Sequence, residues 1–271
     1  MKKNIRSGLM FVCLLVFVFS AWQFWGIIDG YQKGNDSYSS LEQYVTYIEN
    51  TGMPTTHATV PGIDPSQDGN TVLGMPDINI WPKVDFAKLS EINPDVVGWI
   101  YIEGTNINYP IVQGVDNHYY LKRLFDGTDN SAGCIFLDYR CSPDFSDQHS
   151  IIYGHHMKNK SMFSGLMDYK DQSFYEEHSI ALLVTPKAYY KIQFFSGYIS
   201  DNQGNGWELG LRGADYTTWL RELQEKSCFE SDSAPTPESR IITLSTCTYE
   251  FTSAKFLLHG YVLEMIENSE P

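Results

Sequence analysis

An uncharged apolar run of 21 residues extends from Gly8 to Ile28. At a rise of 1.5 Å per residue, a helix of this length crosses the hydrocarbon core of a bilayer. Three basic residues precede the run, Lys2, Lys3 and Arg6. Positive flanks stay in the cytoplasm, so we expect residues 1–28 to form a signal-anchor with the remaining chain outside the cell. The run is too long for a cleaved signal peptide and ends without a small-residue cleavage site.

The next part, residues 29–82, is expected to connect the anchor to a folded body. Apolar residues at helical spacing predict a helix there, namely Leu41, Tyr44, Val45 and Ile48, with Ser39 and Glu42 as its capping box. Residues 51–82 then hold five of the twelve prolines, which predicts a Pro/Gly-rich spacer.

From residue 83 to 271 the pattern predicts one mainly β domain. After a short helix over residues 86–92, eight apolar runs bounded by turn residues are predicted to be strands. They cover residues 96–102, 107–113, 132–138, 149–154, 179–185, 188–200, 240–247 and 255–266. Helical inserts are predicted over residues 116–124, 161–170 and 215–226. Many strands with few helices favour a closed barrel or a sandwich.

Charge and cysteine content narrow the possible functions. The chain carries −14, of which +3 comes from the basic flank, so residues 29–271 carry −17. This acidity argues against nucleic-acid binding.

Outside the apolar run the cysteines are Cys134, Cys141, Cys228 and Cys247, too few for a disulfide framework. No zinc-ligand spacing is present, so we expect no metal and no cofactor. Whether Cys134 pairs with Cys141 is left open.

The strand-like run 241–247 ends in Cys247. A strand end holds a side chain in a defined direction, which suits a nucleophile, although free cysteine is also a common small buried residue. A second apolar strand ends at Gly154, followed by His155 and His156. Neighbouring strand-end side chains alternate, so one imidazole is expected to face the thiol and activate it, and the other to face solvent or the following helix. Lys255 begins the strand after Cys247 and is expected to lie near the thiol.

These residues resemble the class B sortases. The resemblance rests on Thr243-Leu244-Ser245-Thr246-Cys247 and on Tyr153-Gly154-His155-His156-Met157. It extends over residues 83–266 and includes the segments 93–100, 104–113, 131–140 and 161–163, together with the predicted helix at 215–226.

The resemblance implies an eight-stranded sortase barrel on the outer face of a Gram-positive membrane, acting as a cysteine transpeptidase. Cys247 would be the nucleophile and His155 the general acid/base. Ser245 and Thr246 would line the substrate groove, with the helix at 215–226 forming one wall. The implied partners are the C-terminal sorting signal of a surface protein and an amine acceptor, either a peptidoglycan precursor or a pilin lysine.

One position departs from the family pattern, because Lys255 occupies the place of an arginine. Lysine offers a compact point charge where arginine offers a planar fork of donors. We therefore expect an enzyme that is weakened or tuned to another signal. Two other functions remain open, a membrane-tethered cysteine peptidase and a non-catalytic surface module. The sorting motif, wall anchoring against pilus assembly, and the oligomeric state are not readable from sequence.

Overall fold

The computed structural model describes residues 2–49 and 80–267. Helix α1 (Lys2–Leu41) contains a window with a mean hydropathy of 2.1, so it is long and apolar enough to cross a membrane. A 3-10 turn follows, and then strand β1 (Val45–Glu49) pairs with β2 (Ile80–Val84). The predicted helix across Leu41–Ile48 is therefore wrong beyond Tyr44. The predicted spacer lies outside the described residues, apart from its last three, which begin β2.

Helix α2 (Phe86–Ile92) forms where the apolar spacing predicted it. The Asp85 carboxylate accepts a hydrogen bond from the Lys88 amide at 3.0 Å, which caps the N-terminus of the helix. Asn93 and Pro94 end the helix and direct the chain into the first strand of the barrel.

The eight predicted strands close into a barrel, which confirms the expected fold class. Around the barrel the strand order is β10-β8-β7-β3-β4-β5-β6-β9. The strands are β3 (Val96–Tyr101), β4 (Asn108–Val112), β5 (Ile135–Leu137), β6 (His149–Tyr153), β7 (Ile180–Val184), β8 (Ala188–Ser200), β9 (Ile241–Cys247) and β10 (Lys255–Glu267).

Two neighbouring pairs in this barrel are parallel, β4 with β5 and β6 with β9. In the second pair, Tyr153 lies opposite Ser245. Parallel strands end at the same edge of a sheet. The residues that follow β6 and the last residues of β9 therefore emerge side by side, although about ninety positions separate them in sequence.

Helices occupy the connections. The predicted insert at 116–124 is a 3-10 helix over Tyr119–Lys122, and that at 161–170 is a 3-10 helix over Phe163–Lys170. Helix α3 (Gln172–Glu177) follows the second insert and was not predicted. The helix predicted at 215–226 is present as α4 (Gly213–Glu225).

The two faces of β9 pack against different groups of residues, because side chains alternate along a strand. Ile242 and Leu244 belong to the main cluster inside the barrel. Ile241 points outward and belongs to a second cluster beneath α4, with Tyr216, Trp219, Leu220, Leu223, Phe195, Tyr198 and Leu257. Thr243, Ser245 and Cys247 share the outward face with Ile241, so the chemically active end of β9 faces the outside of the barrel.

Helix α1 continues past its apolar part and packs on the barrel. Tyr38 and Leu41 are buried, and the Tyr38 hydroxyl donates to the Gly133 carbonyl. The Asn130 side-chain amide donates to the Gly30 carbonyl at 2.9 Å. Contact with the barrel thus begins two residues after Ile28, the end of the apolar run.

Cys134 and Cys141 are separate free thiols. The Cys134 thiol lies 3.4 Å from the Tyr38 hydroxyl, whereas the Cys141 thiol faces the His149 carbonyl. Burial raises the pKa of Cys134 to about 12 and that of Cys141 to about 11. Both thiols are therefore protonated at neutral pH and unreactive.

The interior position of Leu244 gives a stability prediction. Leu244→Ala removes a fully buried side chain and is expected to lower the free energy of unfolding by about 2–5 kcal/mol. Val115→Ala, at a position 89% exposed, serves as the matched control and is expected to change it by less than about 0.5 kcal/mol. Urea unfolding of the full chain in detergent micelles, followed by tryptophan fluorescence, measures both. Equal effects would contradict the assigned orientation of β9.

Candidate active site

Cys247 is the last residue of β9 and is partly exposed. Across the antiparallel β9–β10 pair it lies directly opposite Lys255. Residues directly opposite on one face of a sheet have their side chains next to each other. The Lys255 ammonium nitrogen accordingly lies 2.8 Å from the Cys247 sulfur. The proximity expected from the turn between the two strands is therefore present.

His155 follows β6 by two residues, and Gly154 between them permits a close approach. A Cβ at Gly154 would lie 2.5 Å from the Ile135 side chain and 2.6 Å from that of Phe163. The Gly154 amide donates to the Ser245 carbonyl at 3.1 Å, which ties the end of β6 to β9. A side chain at position 154 would clash with both residues, so a glycine is needed at this end of β6.

One contact sets the tautomer of His155. Its Nε2 lies 2.6 Å from the Leu121 carbonyl oxygen. A carbonyl only accepts, so Nε2 carries the proton, and Nδ1 holds the lone pair of the neutral ring. An imidazole in this state accepts a proton at Nδ1.

His156 contacts the same strand end from another side. Its Nδ1 lies 3.1 Å from the Cys247 carbonyl oxygen, and its ring centre lies 5.0 Å from that of Tyr249. The alternation argument predicted solvent or the following helix as its neighbour. Instead, His156 braces the backbone of Cys247 and the turn beyond it, because the parallel pairing places both strand ends together.

All five predicted site residues line one cavity of about 620 Å³, namely Cys247, His155, Lys255, Ser245 and Thr246. The Ser245 hydroxyl accepts a hydrogen bond from the Trp207 indole at 3.2 Å. Thr246 differs from Ser245, because alternation places its side chain on the interior face with Leu244. Its hydroxyl is buried without a partner among the described residues. Thr246 therefore presents backbone to the cavity.

The outer wall of the cavity comes from the loop between β8 and α4, where Trp207, Glu208 and Leu209 line it. The sequence prediction assigned this wall to the helix itself. In the structure α4 lies behind the loop and supports it, with the Trp219 indole donating to the Asn205 carbonyl at 2.8 Å. The loop has no repeating apolar pattern, so its place in the wall was not predictable.

A polar cluster that sequence reasoning missed also borders the cavity. Asp138 is fully buried and accepts hydrogen bonds from Asn117 at 2.9 Å, Tyr153 at 3.0 Å and both ends of the Arg140 fork. Burial opposes ionisation of Asp138, but the Arg140 hydrogen bonds outweigh it and lower its pKa. The cluster holds Tyr153, Asn117 and Arg140 rigidly in the lining. The only sign of this cluster in the sequence is that an acidic and a basic residue, Asp138 and Arg140, lie two positions apart.

Beneath α4, a chain of hydrogen bonds links three strands to the cavity wall. His149 Nδ1 lies 2.7 Å from the Glu208 carbonyl oxygen, and His149 Nε2 lies 2.8 Å from the Thr243 hydroxyl. The same hydroxyl lies 2.8 Å from His259 Nδ1. Burial lowers the pKa of His149 to about 4 and that of His259 well below its usual value. Both imidazoles are therefore neutral at pH 7.

Comparison with known proteins agrees with this geometry. The model of the Sortase domain family matches residues 100–262. Sortase B of Listeria monocytogenes is 30% identical over 262 residues, covering 96% of this chain and 97% of the relative. Sortase B of Staphylococcus aureus is 37% identical over 183 residues, covering 66% of this chain and 75% of the relative.

The chain belongs to the class B sortase family. Sortase B from B. anthracis, solved in complex with AAEK1, superposes with a TM-score of 0.69 at 28% identity, over 89% of this chain and all of that structure. Enzymes of this family are cysteine transpeptidases that anchor proteins to the cell wall. The barrel edge with Cys247 and His155 is thus the site at which a transpeptidase function has to be tested.

The buried imidazoles predict a pH dependence of stability. The folded pKa of His149 is about 4, below the unfolded value of about 6.5, so the unfolded chain binds more protons between these pH values. Stability is therefore complete above about pH 6.5 and falls towards pH 4, by about 3 kcal/mol for His149. His149→Asn is expected to flatten this slope in urea unfolding, and His118→Asn, at an exposed site, to leave it unchanged. A parent slope of zero would contradict the buried neutral state.

Proposed function

We propose that this sortase cleaves the C-terminal sorting signal of surface proteins and joins the new carboxyl end to an amine of a peptidoglycan precursor or a pilin. The observation that carries the proposal is the meeting of two parallel strand ends. That meeting places Cys247, His155 and Lys255 in one cavity, with the lysine nitrogen 2.8 Å from the thiol sulfur. Staphylococcus aureus sortase B has been solved in complex with a substrate, which supports a substrate-binding function for this chain as well.

His155 takes up and returns a proton twice in the proposed reaction. The Cys247 sulfur attacks the scissile carbonyl, its thiol proton passes to His155, and a tetrahedral intermediate forms. The carbon–nitrogen bond breaks as His155 gives the proton to the leaving amine, leaving a thioester on Cys247. The acceptor amine then attacks the thioester and gives its proton to His155. The Cys247 sulfur leaves and regains a proton from His155, which restores the enzyme.

In this scheme Lys255 acts through its positive charge, first on the sulfur and then on the oxyanion. The ammonium group 2.8 Å from the sulfur stabilises the negative charge that develops there when the thiol proton passes to His155. As the sulfur loses its charge to the substrate, the same nitrogen is available to the developing oxyanion. A lysine provides a single directional contact, so the proposed active site holds the substrate backbone less rigidly than the bidentate arginine of the family pattern would.

The apolar helix α1 is the basis for the proposed location of the reaction, which is a membrane surface. We propose that α1 spans the membrane with Lys2, Lys3 and Arg6 in the cytoplasm and the barrel outside. The hydrogen bond between Asn130 and Gly30 supports a barrel that begins close to the outer membrane surface. An acceptor amine near the outer membrane surface would then be within reach of the cavity.

One prediction concerns the proposed catalytic pair, Cys247 and His155. Cys247→Ala is expected to abolish peptide transfer, and His155→Ala to lower kcat/KM by at least about 10³-fold, because nucleophile and proton carrier are lost. The matched controls are Cys228→Ala and His118→Ala, which change an exposed thiol and an exposed imidazole. Activity is measured with peptides from a randomised library, with and without an added amine. Parent activity should follow a bell-shaped pH profile.

Three outcomes would contradict this prediction. A pH profile that is flat across neutral pH would exclude the thiol–imidazole pair. Release of only the free acid in the presence of excess amine would identify a peptidase instead of a transpeptidase. Failure of a thiol-reactive probe to label Cys247 in the native protein would favour a non-catalytic module.

The second prediction concerns Lys255. Lys255→Ala is expected to lower kcat/KM about 10²-fold and to slow alkylation of Cys247 at pH 7, because the thiolate loses its charged partner. Lys255→Arg should retain activity within about tenfold of the parent, since it restores the charge. Lys88→Ala, on the surface of α2, is the control. Parent-like transfer by Lys255→Ala would remove Lys255 from the proposed active site.

A further inference from the structure

The wall formed by Trp207, Glu208 and Leu209 separates two cavities. One is the active-site cavity, and the other is a cavity of about 340 Å³ that Glu208 and Leu209 line from the opposite side. Open space on both sides means that packing alone does not set the position of Glu208 and Leu209. Their position therefore depends on the hydrogen bonds that hold the loop.

Two hydrogen bonds tie the wall to the barrel. The Trp207 indole donates to the Ser245 hydroxyl at 3.2 Å, and the Glu208 carbonyl oxygen lies 2.7 Å from His149 Nδ1. The second bond is the shorter, and His149, from which it comes, is 5% exposed. His149 also lines the smaller cavity behind the wall. It contacts the wall from that side, away from the reacting atoms.

The Glu208 carbonyl determines the direction of each hydrogen bond in the series from Glu208 through His149 and Thr243 to His259. Because a carbonyl only accepts, His149 Nδ1 carries the proton and the neutral ring accepts at Nε2. The Thr243 hydroxyl must then donate to His149 Nε2, and its oxygen accepts from His259 Nδ1. A single arrangement of protons satisfies all three contacts. The imidazole of His149 is thus held in the one tautomer that can donate to the wall.

Packing holds the same ring in place. The centre of the Trp219 ring lies 4.8 Å from that of His149, and Thr243 and His259 are fully buried beside it. Burying two imidazoles and a hydroxyl costs solvation free energy that an apolar cluster would not lose. None of these three buried residues is described in contact with the reacting atoms. Their hydrogen bonds end at the Glu208 carbonyl of the wall.

We propose that His149 is a positioning residue for the transfer reaction, which sets the place of the Trp207–Leu209 wall and thereby the affinity for the sorting-signal peptide. The proposal rests on the proposed function. It differs from a purely structural role, because it assigns the effect to one hydrogen bond. Loss of that bond should weaken peptide binding while the reactivity of Cys247 stays the same.

Two amide substitutions separate the two ends of the imidazole. His149→Asn carries its amide nitrogen at the position of Nδ1 and retains a donor for Glu208. His149→Gln reaches the position of Nε2, so it retains a partner for Thr243 and loses the bond to Glu208. The full chain in detergent micelles is assayed with a peptide selected on the parent enzyme from a randomised library. His149→Gln is expected to raise KM about tenfold with kcat within about twofold, and His149→Asn to leave KM within about twofold.

Hydrogen exchange gives a measurement that needs no substrate. Amides of residues 207–211 are expected to exchange about tenfold faster in His149→Gln and at the parent rate in His149→Asn. Iodoacetamide should alkylate Cys247 at the parent rate in both variants. An inactive parent would contradict the proposed function, yet the exchange comparison would still decide the role of His149.

The proposal is overturned if the two variants raise KM equally, or if exchange over residues 207–211 is unchanged in His149→Gln. If His149→Gln shows no cooperative unfolding, Thr243→Val carries the test, with Thr243→Ser as its control. Thr243→Val removes the hydroxyl that orients the ring and is expected to raise KM at least threefold, whereas Thr243→Ser retains it. Equal KM values for these two variants would likewise overturn the proposal.

Discussion

The parallel pairing of β6 with β9 is the constraint on which the site depends. It is unusual in a barrel built mostly from antiparallel neighbours, and it makes two distant strands end at the same edge. Cys247 and His155 follow those two ends, and the Gly154 amide bonded to Ser245 fixes their offset. An antiparallel pairing of the same two strands would place the thiol and the imidazole at opposite ends of the barrel. The chemistry of the site is thus a consequence of strand direction.

The second constraint is the alternation of side chains along β9. Ile242 and Leu244 fill the barrel, so Thr243, Ser245 and Cys247 must face outward. On that face each residue has a different neighbour. Cys247 lies against Lys255, Ser245 against the Trp207 indole and Thr243 between two buried imidazoles. The outward face of β9 therefore carries the proposed nucleophile and the Ser245 attachment of the cavity wall. Its Thr243 contacts His149 of β6, which makes the second attachment.

Charge is distributed around this face in a way that suits a thiolate. Residues 29–271 carry a net charge of −17, yet an ammonium group lies 2.8 Å from the Cys247 sulfur. Asp138, which holds three residues of the lining, is paired with the bidentate Arg140 and accepts two further hydrogen bonds, from Asn117 and Tyr153. The neutral imidazoles beneath α4 add no charge. In the proposed mechanism Lys255 is therefore the source of positive charge at the thiol.

The sequence by itself determined the apolar N-terminal helix and all eight barrel strands, and it marked Cys247, His155 and Lys255 as residues at strand ends. These are local properties, because alternation, turn residues and strand ends are visible in a window of a few positions. Only the tertiary structure decided that Val45–Glu49 is a strand, since its partner β2 lies beyond residues 51–79. It also decided that the wall is a loop, that Thr246 faces inward, and that His149, Thr243 and His259 meet. Such contacts join residues far apart in sequence, and hydrogen bonds between them leave no periodic pattern along the chain.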